Sequence, residues 1–207
     1  ISLRITADHV LHDVSPMLFG IFLEDINFSC DGGLNANMVN NASFDGIYLS
    51  RKGYGMFRSL ILKPDPHAVV DRLRYWKLIG GQMESLHDKP IAENSWYARI
   101  QVAGQASLEN LGFNGGKGQS KSCAMSIKSG QDYAFSAYGR SQSYQGTVTV
   151  TITDARGIAL TSSATFTPNN DWQQFQLTLS GKQTGYGKLV VRFEGQGAID
   201  LDGISLM

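Results

Sequence analysis

The chain has 207 residues, 42% of them hydrophobic, and its 18 basic and 18 acidic side chains cancel to a formal net charge of zero. That is enough for one large or two small domains with a proper core. A balanced charge without runs of Lys or Arg lacks the clustered positive potential that nucleic acid or an anionic membrane needs, so neither is expected as a partner. The apolar stretches are far shorter than a membrane span, and no charged-then-apolar leader stands at the start. The first residue is Ile1, as in a processed or cut chain. Cys30 and Cys123, the two cysteines, fit neither a disulfide framework nor a zinc motif, and the sequence leaves their pairing open.

Taken in chain order, residues 1–25 read as a short alternating strand, a turn at Ser15-Pro16, and the apolar run Met17 to Leu23. Such a run is typical of a strand covered on both faces, as in a parallel sheet. It ends on two adjacent carboxylates, Glu24 and Asp25. The stretch DGGLNANMVNN, with Leu34, Met38 and Asn41 at near-helical spacing, predicts a short helix, so residues 16–42 form one strand-loop-helix unit. One such unit cannot fold alone, because its strand needs neighbours for its backbone hydrogen bonds.

After Ser50 the pattern is mixed, and DPHAVVDRLRYW reads either as a helical turn or as an irregular approach to a strand. From about Trp96 it becomes strands bounded by Gly, Ser, Asn and Asp. Eight are expected: SWYARIQV, CAMSIKSG, QDYAFSAYGRS, GTVTVTITDA, ALTSSATFT, WQQFQLTLSG, GKLVVRFEG and GAIDLDGISL. Their spacing and the scarcity of helical patterns predict a mainly β fold, an antiparallel β-sandwich or jelly roll. Val148, Val150 and Ile152 share one face of their strand and Thr147, Thr149, Thr151 and Thr153 the other, so one side packs while the other is wet or lines a groove. Phe175, Leu177 and Leu179 divide in the same way from Gln174, Gln176 and Thr178. Residues 42–207 are expected to fold without residues 1–41.

The stretch VSPMLFGIFLEDINFSCDGGLNANMVNNASFD resembles the amino-terminal part of glycoside hydrolase family 51 α-L-arabinofuranosidases, in the longer branch with a carbohydrate-binding-like module inserted early. Matching positions include Ser15, Pro16, Leu18, Gly20 to Phe22, Glu24 to Asn27, Asp31 to Leu34, Ala36, Val39, Asn41, Ser43 and Phe44. LENLGFNGG, MSIKSGQDYAFSAYGRS, DWQQFQLTLS and LVVRFEGQGAIDLDGISL are similar, in order, to the inserted jelly roll, which is of galactose-binding-like, family 4 carbohydrate-binding-module type. The resemblance implies that residues 1–41 are the first strand and helix of an incomplete (β/α)8 barrel and that residues 42–207 are the jelly roll. It covers nearly all of this chain but only the front third or so of the family's length. Asn35, Asn37, Asn40 and Ala42 stand where the family has Tyr, Glu, Gln and Arg, and Asp45 replaces Glu, which removes the contacts those side chains would make.

The family hydrolyses with retention, which needs an acid/base and a nucleophilic carboxylate about 5–5.5 Å apart. The resemblance places both on later barrel strands, with the acid/base in an Asn-Glu pair. This chain has no such dipeptide. Its glutamates are Glu24, Glu84, Glu93, Glu109 and Glu194, and Glu24 is the one that matches a family active-site position. Residues at the carboxyl ends of barrel strands face the active site, so the resemblance implies that Glu24 accepts hydrogen bonds from hydroxyls of the arabinofuranosyl ring and orients it. Read without the resemblance, Glu24 is a solvated carboxylate after a strand. Asp25 is read as a loop or helix-end acceptor. The 207-residue chain alone is expected to be inactive.

Related jelly rolls hold a structural calcium, and the resemblance points to Asp45 and Asp202 with backbone carbonyls as its ligands; a turn residue and a surface carboxylate is the competing reading. No cofactor is expected for catalysis. Trp76, Trp96, Trp172, Tyr138, Tyr144 and Tyr186 are available to contact sugar, and Trp96 and Trp172 are expected at the core or rim. Tyr144, in a polar turn, is expected to be exposed. His9, His12, His67 and His87 lack ligand spacing. The implied partner is an arabinose-containing polysaccharide or oligosaccharide. A secreted or periplasmic setting fits that substrate, though the family also has intracellular members. Self-association through the unpaired amino-terminal strand is a further expectation. The rival readings are a free-standing carbohydrate-binding module and a purely structural β-sandwich.

Overall fold

Runs that alternate apolar and polar side chains become strands because the pleat sends successive residues to opposite faces. The computed structural model describes residues 36–49, 69–91, 94–113 and 122–207. These residues contain ten strands and no helix. The strands are β1 (Ile47–Leu49), β2 (Val69–Asp71), β3 (Trp76–Ile91), β4 (Asn94–Asn110), β5 (Met125–Ile127), β6 (Asp132–Ser141), β7 (Gln145–Thr153), β8 (Ala164–Phe166), β9 (Gln173–Ser180) and β10 (Gly185–Leu206). β1 and β2 form a small antiparallel pair. The rest make the expected antiparallel sandwich, with the order β3-β4-β10-β6-β9 along one path while β7 leaves from β10 and pairs with β8.

The strand expected over 187–195 and the one expected over 197–206 are a single 22-residue strand, β10. Its ladder to β4 runs unbroken through Gly195, Gln196 and Gly197, which face Gly104, Ala103 and Val102. On its other edge the partner changes, from β7 over Lys188–Gln196 to β6 over Ile199–Leu206. One strand therefore belongs to both layers. Gly195 and Gly197 have φ of 157° and 109°, and a Cβ on either would overlap the carbonyl oxygen of Gln145 or Ser143. The glycines thus permit a close crossing of backbones and do not end the strand.

Between the layers lie fully buried side chains that include Ile100, Leu108, Phe135, Ile152, Leu179, Leu189, Phe193 and Ile199. Each contributes about 1.5–3 kcal/mol relative to exposure. Val148, Val150 and Ile152 face this core as their alternation requires. The opposite, threonine face of β7 is not uniformly wet. Thr151 and Thr153 are buried on the face they share with their register partners Val190 and Lys188, where Lys188 is paired to Glu109 at 2.7 Å.

β3 has no counterpart among the expected strands. Its central stretch, LIGGQMES, shows no clean alternation, and most of its described side chains are exposed or half-buried. It is held by its ladder to β4, interrupted by a bulge between Ile79 and Gly81. The approach over 69–75 is the short strand β2 followed by a turn, not a helical turn.

Residues 1–35 lie outside the described residues, and with them the expected barrel strand, Glu24, Asp25 and Cys30. The described part of the expected helix, 36–42, is loop and turn. Asparagine side chains take over the hydrogen bonding there. Asn37 Oδ1 accepts from Val39 N and from Leu206 N of the last strand, and Asn41 sits at φ 53°. Asn41 Nδ2 donates to the carbonyls of Arg72 and Arg74 at 2.8 and 2.9 Å, while its own carbonyl accepts from the Trp76 indole at 2.9 Å. Phe44, fully buried, stacks on Trp76.

Candidate functional site

On β4 the inward residues Ala98, Ile100 and Val102 are buried in the core, so Tyr97, Arg99, Gln101 and Ala103 line the outer face of the sheet. Register then sets Glu84 of β3, Arg99 of β4, Asp200 of β10 and Arg140 of β6 in one row across four strands. The charges alternate in sign along that row, which is the favourable arrangement for cross-strand neighbours.

Asp200 is the centre of the row, and it is fully buried. Its Oδ1 accepts from Arg99 Nε at 2.6 Å and its Oδ2 from Arg99 Nη2 at 2.9 Å, a bidentate pair. Oδ2 also accepts from Arg140 Nε at 2.9 Å and Gln142 Nε2 at 3.2 Å. A buried carboxylate is tolerated only when charge-assisted bonds replace its lost hydration, and four donors do so here. Hydrogen bonding to Asp200 raises the pKa of Arg99. Arg140 is raised as well, its burial pulling downward but outweighed by its bonds to the same carboxylate.

The two guanidinium groups fix the aromatic residues beside them. Tyr97 Oη accepts from Arg140 Nη2 at 3.3 Å. Trp172 meets Tyr97 edge-on at 5.4 Å, and the Arg140 guanidinium lies 4.9 Å from the Trp172 ring centre. Trp172 is thus a rim residue, as expected, locked by a cation–π contact. Trp76 is in the core, and Trp96 is half-buried with the Arg72 guanidinium stacked 3.6 Å from its ring.

Tyr144 is a correction. It is not exposed but 5% accessible, edge-on to Phe193, with its hydroxyl donating to Thr147 O at 2.9 Å. Burial pushes its pKa up. The polar turn accommodates it because the ring gains from burial in the core while Gln142, Ser143 and Gln145 stay in contact with water. Tyr186 is exposed, at 69%. His87 packs against Trp96 on the surface, and His9, His12 and His67 lie outside the described residues. Cys123 carries a free thiol whose pKa burial raises, so it is not poised as a nucleophile.

Asp45 and Asp202 were both expected at a calcium site. Asp45 is exposed and its Oδ2 accepts from Ser43 Oγ at 2.7 Å. Asp202 is fully buried and its Oδ1 accepts from Gly203 N at 2.7 Å. Among the described residues no group of three or more His, Cys, Asp or Glu side chains is placed to hold a metal. A calcium between Asp45 and Asp202 would therefore depend on backbone carbonyls for the rest of its oxygen ligands.

The row around Asp200 was legible in part. The alternation in SWYARIQV and GAIDLDGISL marks outward polar positions, but only pairing shows that Arg99, Asp200 and Arg140 are neighbours. No protein-family model matches the chain. Over 189 residues it is 26% identical to an extracellular exo-α-L-arabinofuranosidase of Streptomyces chartreusis, an alignment that covers 91% of this chain and 20% of that protein. The chain resembles part of an α-L-arabinofuranosidase. Among solved structures it matches the arabinose-bound MgGH51 α-L-arabinofuranosidase with a TM-score of 0.65 at 20% identity, over 89% of this chain and 28% of that one. It also matches the enzymatically active domain of tailspike protein 4 of bacteriophage CBA120, with a TM-score of 0.50 at 14% identity, over 82% of this chain and 21% of that one. The two structural matches bear on the fold. The chain spans about a fifth of the length of the curated relative it matches.

Proposed function

We propose that this chain is part of a secreted α-L-arabinofuranosidase, with the β-sandwich as an accessory module set beside a (β/α)8 catalytic domain. The parent protein would release terminal α-L-arabinofuranosyl residues from arabinan or arabinoxylan by a retaining double displacement. The observation that carries this reading is the similarity to the Streptomyces enzyme over 91% of the chain. That enzyme is extracellular by name, which favours the same setting here.

A second observation supports a module set into another domain. Met38 N donates to Leu206 O at 2.9 Å and Ile204 N donates to Ala42 O at 2.9 Å, so the points where the chain joins and leaves the sandwich lie side by side. A module with adjacent ends can be set into one loop of another domain without separating that loop's anchors. In this reading Glu24 holds the sugar ring, and the nucleophile and acid/base are supplied by later barrel strands.

The test is hydrolysis of an aryl α-L-arabinofuranoside by the 207-residue chain and by the same chain continued into a full barrel. Activity is expected from the continued protein alone. In it, Glu24→Gln should lower kcat/KM about 10- to 100-fold, the worth of one or two charge-assisted bonds. Turnover by the 207-residue chain, or a continued protein without activity, overturns the reading. Self-association of the shorter chain through residues 17–23 is part of the same reading, and a monomer by size-exclusion chromatography would remove it.

A further inference from the structure

Beside the charged row, four glutamines stand on four adjacent strands: Gln82 on β3, Gln101 on β4, Gln196 on β10 and Gln145 on β7. Gln82 is the register partner of Gln101, and Gln196 that of Gln145. Gln196 also pairs with Ala103, two residues along β4 from Gln101, so Gln101 and Gln196 are diagonal neighbours about 7–8 Å apart. All four side chains are exposed. Among the described residues none has a side-chain hydrogen-bond partner, whereas nearby Gln142 is committed to Asp200.

The four line two adjoining depressions that share Gln101. One, of about 240 Å³, includes Gln82, Glu84 and Arg99; the other, of about 400 Å³, includes Ala103, Ser143, Gln145, Gln196 and Gly197. Small residues, Ala103 and Gly197, form the floor between amide walls. With strands about 4.8 Å apart, four strands extend across about 14 Å, the reach of a short oligomer and not of a single small ion.

We infer that this amide-lined trough binds an uncharged oligosaccharide. A primary amide is the neutral side chain that offers two donors and an acceptor in one plane, which suits hydroxyl groups that both donate and accept. Four uncommitted amides in a line suit a chain of such groups. The trough also disfavours acidic sugars. Arg99, the cation among its described lining residues, is bound to Asp200, a carboxylate it shares with Arg140, and Glu84 faces Arg99 from the next strand and would repel a carboxylate or sulfate. The inference stands apart from the hydrolase reading, since binding requires neither the barrel nor turnover.

The test is isothermal titration of the 207-residue chain with xylohexaose, arabinohexaose and cellohexaose as neutral probes and hexagalacturonate as the acidic one. Saturable binding of at least one neutral probe is expected, weakened tenfold or more by Gln101→Ala combined with Gln196→Ala. Both positions are exposed, so the midpoint of thermal unfolding should not move. Arg192→Ala, in a separate depression lined by Ile79, Gln105 and Glu194, should leave binding unchanged. Absence of binding by all three neutral probes at millimolar sugar, unaltered affinity in the double variant, or preference for hexagalacturonate overturns the inference. None of these outcomes bears on hydrolysis by the continued protein.

Discussion

Asp200→Asn separates a buried carboxylate that organises the sheet face from one that merely occupies it. The substitution keeps the shape and removes one acceptor. If the amide oxygen stays at the Oδ2 position, it retains the bonds from Arg99 Nη2, Arg140 and Gln142. Its nitrogen then meets Arg99 Nε, a donor, across the 2.6 Å now spanned by a bond, and the two guanidinium groups lose their shared buried counter-charge, keeping only the exposed Asp88, 3.5 Å from Arg140, and Glu84 opposite Arg99. Removing one partner of a buried ion pair costs about 3–5 kcal/mol. The Arg99 and Arg140 side chains keep 27% and 17% of their accessibility, so water offsets part of the loss and the lower end, about 3 kcal/mol, is expected. For a chain of this size that lowers Tm by about 6–12 °C. Urea unfolding followed by tryptophan fluorescence measures it, with Trp172 reporting directly from the cluster. Replacing the cluster by apolar residues, Arg99→Met, Arg140→Leu and Asp200→Leu together, should recover much of the loss, because no buried unpaired charge then remains and Asp88 and Glu84 are exposed to water. A loss below about 1 kcal/mol for Asp200→Asn would show that the carboxylate does not hold the face together.

Asn110→Ala removes a fully buried side chain that accepts from Asn40 N and Gly112 N and donates to Asn40 O. Three backbone groups lose their partner, so about 3 kcal/mol of stability should go, along with amide-exchange protection at Asn40 and Gly112; unchanged protection would refute the role. Asp154 has its pKa lowered, first by the bond from Ile158 N and then by Arg156. A lowered folded-state pKa contributes stability above the unfolded value, about 3.9, and loses it as pH falls through the folded value. Asp154→Asn should therefore destabilise at pH 7 and match the parent chain near pH 2, and a pH-independent difference would contradict this. If Asp45 and Asp202 hold calcium, a hundredfold excess of calcium over Kd should add about 2.7 kcal/mol of stability and raise Tm, EDTA should reverse this, and Asp45→Ala should abolish the response. A Tm indifferent to both would remove the site.

The sandwich was legible because alternation is written into each strand: the core faces of β7 and β9 follow from residue order alone. β3 was not legible, since an edge strand with little burial carries almost no hydrophobic period and takes its course from β4. Tyr144 was misread because a polar turn says nothing of what lies beneath it. Gly195 and Gly197 look like strand ends in one dimension and are a backbone crossing in three.

Residue order by itself determined the β class, the inward and outward faces, and the resemblance that led to arabinofuranosidases. Tertiary structure decided which outward residues meet. Glu84, Arg99, Asp200 and Arg140 are spread over 117 positions of the chain, and so are most of the four glutamines beside them. Side-chain period is a property of a single strand, whereas register is set between strands by hydrogen bonds that local pattern does not encode. The charged row and the amide trough exist only once β10 has paired with β4 on one edge and with β7 and β6 on the other.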